Sequence, residues 1–96
     1  MKFMQIIEYE TSKPDDVKAV FDEFIATTEG RRAVGHGYTG RDREKPDTYV
    51  SVVIFPSYEE AMRNNELPET QRFSREMMGL CQNVTFHNLD VTRDEE

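Results

Sequence analysis

The sequence predicts an α+β fold: one four-stranded antiparallel sheet with two helices on one face, in the order β-α-β-β-α-β. Three observations lead there. Four runs alternate their side chains as strands do, a helical stripe follows the first run, and a second helical stretch precedes the last. Ninety-six residues suit one domain over positions 1–96. A chain of that length buries only about 60–65% of its unfolded surface, so its core is modest.

Lys2 to Glu10 opens with β-favouring residues on both sides. Phe3, Gln5, Ile7 and Tyr9 share one face, and Met4, Ile6 and Glu8 the other. Thr11 to Asp16 then combines capping hydroxyls, a proline at a helix start and acids in the first turn. A helix is predicted from there to about Glu29. Val17, Val20, Phe21, Phe24, Ile25 and Thr28 form its apolar stripe, and Gly30 supplies a left-handed stop.

Ala33 to Arg41 (AVGHGYTGR) alternates again: Val34, His36 and Tyr38 lie on one face, Ala33, Gly35, Gly37 and Thr39 on the other. Glycines inside a strand let a backbone or a ligand approach closely. The charged turn RDREKPD, Arg41 to Asp47, joins it in a hairpin to Thr48 to Phe55 (TYVSVVIF). Large residues on both faces of that run make it a central strand.

Ser57 to Leu80 reads as one interrupted helix. Ser57 with Glu60 three residues on has the form of a capping box. Asn64-Asn65 and Leu67-Pro68 interrupt it, because proline lacks an amide proton and pushes its predecessor out of helical geometry. Phe73, Met77 and Leu80 then recur on one stripe. Val84 to Val91 is the last strand, and Thr92 to Glu96 is a solvated tail.

This order is the split βαβ, or ferredoxin-like, arrangement. Right-handed crossovers put both helices on the same side of the sheet. The other side would then expose Met4, Ile6, Val50, Val52 and Ile54 as an apolar patch, and a patch of that kind implies a partner surface. The simplest partner is a second copy, giving a homodimer through the sheet face.

Composition narrows the partners. The apolar fraction is 36%, the charged fraction 32% and the formal charge −7. Such a balance argues against nucleic acid and against an anionic membrane surface. Cys81 stands alone, so an internal disulfide is excluded and no paired spacing suggests zinc. The N-terminal MKFMQIIEYE is too short and charged for a signal peptide, and no run has membrane-spanning length. A cytoplasmic protein is expected.

Several stretches are also familiar. IFPSYEEAM, residues 54–62, with weaker support from MKFM and from Phe73 to Met77, resembles the dimeric α/β-barrel superfamily. That group includes antibiotic-biosynthesis monooxygenase-like proteins. The resemblance implies that two sheets close into a barrel at the dimer interface, with any ligand between each sheet and its own helices. Haem-degrading members use polar or tryptophan side chains at positions that correspond to Ile7, Phe55 and Met77. Here all three are apolar and the chain has no tryptophan, so no haem and no other cofactor is expected. Gln5, Tyr9, Tyr49 and Ser51 can add polar handles to that cavity.

Two function classes follow. In one, a small hydrophobic or aromatic molecule binds between helices and sheet without turnover, against Ile7, Phe24, Tyr49, Phe55, Asn65, Phe73 and Met77. In the other, a cofactor-independent monooxygenase or isomerase acts on such a molecule. His36 and Tyr38, neighbours two apart on one strand face, would be its catalytic acid-base pair, since histidine titrates near neutral pH. Each candidate has a plain structural alternative: His36 facing water or a partner, the asparagines capping a frayed turn, and the aromatics filling the core. His87 and His36 lie in separate regions without patterned carboxylates, so no metal site is expected.

Overall fold

The computed structural model describes residues 1–32 and 35–95. Its elements are β1 (Phe3–Glu10), α1 (Pro14–Thr27), β2 (His36–Arg41), β3 (Thr48–Phe55), α2 (Tyr58–Asn65), α3 (Pro68–Leu80) and β4 (Gln82–Asp90). The four strands form one antiparallel sheet in the order β2-β3-β1-β4, the ferredoxin-like order. Ala33 and Val34, the expected start of the second strand, lie outside the described residues, as does Glu96 at the end of the tail.

The expected second helix is two helices. Ser57 caps α2, its hydroxyl accepting from the Glu60 amide at 3.2 Å. Only that half of the capping box forms, because the Glu60 carboxylate pairs forward with Arg63. Leu67 adopts extended backbone before Pro68, and α3 starts there. α1 ends at Thr27, two residues short of the expected Glu29. The hydroxyls of Thr27 and Thr28 donate back to the Glu23 and Phe24 carbonyls, and the amides of Arg31 and Arg32 both donate to the Thr28 carbonyl. Gly30 at φ +81° completes the reversal. The expected capping hydroxyl is not at the cap, which is Lys13; Thr11 Oγ1 instead accepts from the Lys13 amide at 3.0 Å.

Register fixes which side chains share a face, since directly opposed residues point the same way. Phe3 opposes Phe55, and both pack on Ala61 of α2. The odd-numbered residues of β1 and β3 therefore face the helices. Tyr58 meets Phe3 edge-on, with ring centroids 5.4 Å apart. A second aromatic group joins α1 to α3: Phe73 lies 5.0 Å from Phe21 and 4.7 Å from Phe24, centroid to centroid. Arg31–Glu69 and Arg72–Glu23 ion pairs rim this helix contact. They are exposed and add little stability.

The even-numbered residues of β1 and β3 look the other way, where no element among the described residues covers them. Met4, Ile6, Val50, Val52 and Ile54 are half-buried there, flanked on β4 by Leu89 at 43% exposure. Buried apolar side chains among the described residues are Phe3, Tyr9, Val17, Phe55 and Ala61. The chain exposes 6989 Å², against about 5,700 Å² for a compact monomer of this mass.

Candidate functional site

The helix-facing side of the sheet carries two rows of side chains at its middle. One row is Gly37, Val53, Gln5 and Asn88; the next is Thr39, Ser51, Ile7 and Phe86. Strand pleating puts both rows on the same side. Gln5, Ile7 and Val53 sit on the two central strands beneath the helix layer, yet they are only half-buried. Phe86 is 51% exposed at the β4 edge of the same surface. α2 covers the Phe3–Phe55 end through Ala61; Tyr9 and Ser51 are also buried, whereas Gln5, Ile7 and Val53 between them are half-buried.

Polar groups converge there in two sets. Gln5 Nε2 donates to Asn88 Oδ1 at 3.2 Å, which leaves the Gln5 carbonyl oxygen and the Asn88 amide outside that bond. Thr39 and Ser51 share a hydroxyl hydrogen bond of 2.9 Å. Tyr9 stacks on Tyr49 with ring centroids 5.8 Å apart. Burial pushes the Tyr9 phenol above its ordinary range, while the Ser51 hydroxyl partly offsets that rise. Tyr9 and Ser51 are buried on this side, and Thr39 is exposed at the β2 edge. Such an arrangement can bind carbonyl or hydroxyl groups on a flat apolar molecule lying against Ile7 and Val53.

The pocket residues expected from sequence fall into three places. Ile7, Tyr49 and Phe55 are on this helix-facing side, Phe55 buried at its end against Phe3 and Ala61. Phe24 and Phe73 pack together between α1 and α3, and Met77 follows one turn later on α3, half-buried. Asn65 is exposed at the end of α2. The structure does not bring Asn65 to the Gln5–Asn88 surface.

His36 and Tyr38 are elsewhere. His36 opposes Ile54 and Tyr38 opposes Val52, so both stand on the uncovered side of the sheet. His36 Nε2 and the Tyr38 hydroxyl are 2.9 Å apart, and Tyr38 is 65% exposed. The pair is formed, but the sheet separates it from Phe55, Phe73 and Met77.

Asn88 and Phe86 were missed by sequence reasoning as site residues. Their pairing with Gln5 and Ile7 is the signal, and it needs the β1–β4 register. A shallow hollow of about 60 Å³ lies between α1 and α3 over Val20, Phe24 and Phe73, away from the sheet. Among the described residues, no three histidine, cysteine, aspartate or glutamate side chains converge as metal ligands would. No helix among them is long and apolar enough to cross a membrane.

Comparison with solved structures places this architecture. SnoaB, a cofactor-independent oxygenase from Streptomyces nogalater, superposes with a TM-score of 0.83 at 14% identity, covering 97% of this chain and 95% of that one. Rv0793 from Mycobacterium tuberculosis gives 0.79 at 13% identity, with 100% of both chains covered. A candidate antibiotic biosynthesis monooxygenase from Caulobacter crescentus gives 0.81 at 10% identity, over 96% of this chain and 91% of that one. The chain has their fold. The resemblance read from residues 54–62 to the antibiotic-biosynthesis monooxygenase-like group is thus present in the architecture of nearly the whole chain. No family model matches the sequence, and no curated protein matches it.

Proposed function

We propose that this protein is a homodimer, joined through the uncovered sheet face, that binds a small hydrophobic or aromatic molecule between its helices and its sheet. The half-covered middle of the sheet carries the ligand part of this reading: Gln5, Ile7 and Val53 lie under the helix layer without being closed off by it. Gln5, Asn88 and Thr39 supply hydrogen bonds, and Ile7, Val53 and Phe86 supply the apolar bed. The dimer part is supported by exposed area. The chain shows roughly 1,300 Å² more surface than a compact monomer of its mass, and a standard interface removes about 800 Å² per partner. A lone cysteine without a disulfide partner suits a cytoplasmic setting.

Gly37 provides the test for the ligand. A Cβ at this position would sit 3.6 Å from the Val52 carbonyl oxygen and 3.9 Å from Val53 Cγ2, which are ordinary contacts. Gly37→Leu therefore fills the opening from the β2 edge without straining the backbone. A flat hydroxylated quinone should quench the tyrosine fluorescence of the wild-type protein, and Gly37→Leu should remove that response while leaving circular dichroism unchanged. A wild-type protein that binds no such probe, or a variant that binds it equally well, overturns this assignment. A second reading, turnover of the molecule by a cofactor-independent oxygenase or isomerase reaction, is favoured by the likeness to SnoaB. Oxygen consumption with the bound quinol separates the oxygenase from simple binding.

A further inference from the structure

The chain contains two histidines, and both stand on the uncovered side of the sheet, one at each edge. His36 on β2 begins the row His36, Ile54, Met4, Leu89; His87 on β4 ends the row Tyr38, Val52, Ile6, His87. Between them the surface is apolar, and it is the face assigned above to the dimer. Building on that reading of the dimer, we infer that the assembly is acid-sensitive: protonation of His36 and His87 releases the two copies from one another.

The chemistry follows from position. Histidine is the side chain whose charge ordinarily changes between pH 5 and 8. A neutral imidazole can be covered by an apolar surface at small cost, whereas an imidazolium loses its hydration there and needs a compensating anion. Few groups can compensate. His36 faces the Tyr38 phenol on its own strand and Ile54 and Val52 on β3, so no carboxylate faces it. His87 opposes Ile6 on β1, with Met4 and Glu8 as its diagonal neighbours on that strand and Thr85 and Leu89 on its own; Glu8 is the one acid among them. Lys2, paired with Asp94, lies beyond Met4 at the end of the face. Among the described residues neither imidazole is paired with a carboxylate. Two covered copies thus hold fewer protons than two separate ones. Association is fully present at alkaline pH and declines as pH falls through the ordinary histidine range.

Sedimentation of the full chain at about pH 8 and about pH 5.5, spanning the histidine transition, tests this, with circular dichroism recorded at both. The wild-type dimer should dissociate at least about tenfold more readily at the lower pH with its secondary structure intact. The double variant His36→Gln, His87→Gln should lose that dependence, and either single variant should halve it on a logarithmic scale if the pair does not fold. A wild-type dimer equally tight at both values overturns the inference, as does unfolding at the lower pH. A double variant that still dissociates in acid also overturns it. A protein already single-copy at the higher pH refutes the dimer itself, a distinct result.

Discussion

Thr11 Oγ1 donates to the Leu80 carbonyl at 2.8 Å and so fastens the turn after β1 to the last residue of α3. The same oxygen accepts from the Lys13 amide at 3.0 Å. One buried hydroxyl therefore satisfies a terminal helix carbonyl and a loop amide that would otherwise have no partner. Thr11→Val keeps the shape and removes both bonds. We expect a loss of about 1–3 kcal/mol, the cost of stranding buried polar groups. Urea titration should show a lower midpoint with an unchanged slope.

Phe73 connects the helices that do not touch through backbone bonds. It contacts Phe21 and Phe24 with centroids at 5.0 and 4.7 Å. Since the side chain is only half-buried, Phe73→Ala should cost about 2–3 kcal/mol, at or below the lower end for an aromatic truncation. Phe73→Leu should recover more than half of that. Thermal unfolding of the two variants compares them directly.

The Tyr9 phenol and the Cys81 thiol are both pushed up by burial. For each, the folded state holds the proton more tightly than the unfolded state does. Their stabilisation is complete below the unfolded values and is lost as pH rises through the folded ones. Stability should therefore fall above about pH 10 for the tyrosine. Tyr9→Phe should flatten that fall. Denaturant midpoints across the alkaline range would reveal it, and an unchanged slope against pH would contradict the assignment. The Cys81 thiol should also react slowly with alkylating reagents at neutral pH.

Much of this architecture was legible in local pattern. The β3 boundaries, Thr48 and Phe55, follow from a run of β-branched and aromatic residues. The break before Pro68 follows from the chemistry of proline alone. The apolar set Met4, Ile6, Val50, Val52 and Ile54 follows from alternation in two strands. Alternation could not say which side of the sheet His36 and Tyr38 occupy, because that depends on how β2 aligns with β3. The Gln5–Asn88 contact was hidden for the same reason. β4 begins at Gln82 rather than Val84 because Asn83, at φ +52°, carries the irregular pairing between Glu8 and Glu10 and bonds the Glu10 carboxylate. A single left-handed asparagine leaves no periodic trace.

The joint at Glu66–Leu67 divides loyalties within the helical layer. α2 is anchored to the sheet through Ala61, whereas the aromatic contacts of α3 are with α1. Mechanically this makes α1 and α3 one leaf and the sheet with α2 another, held together near Thr11 and Leu80. The break before Pro68 thus lets two consecutive helices serve different layers, one tied to the sheet and the other to its fellow helix.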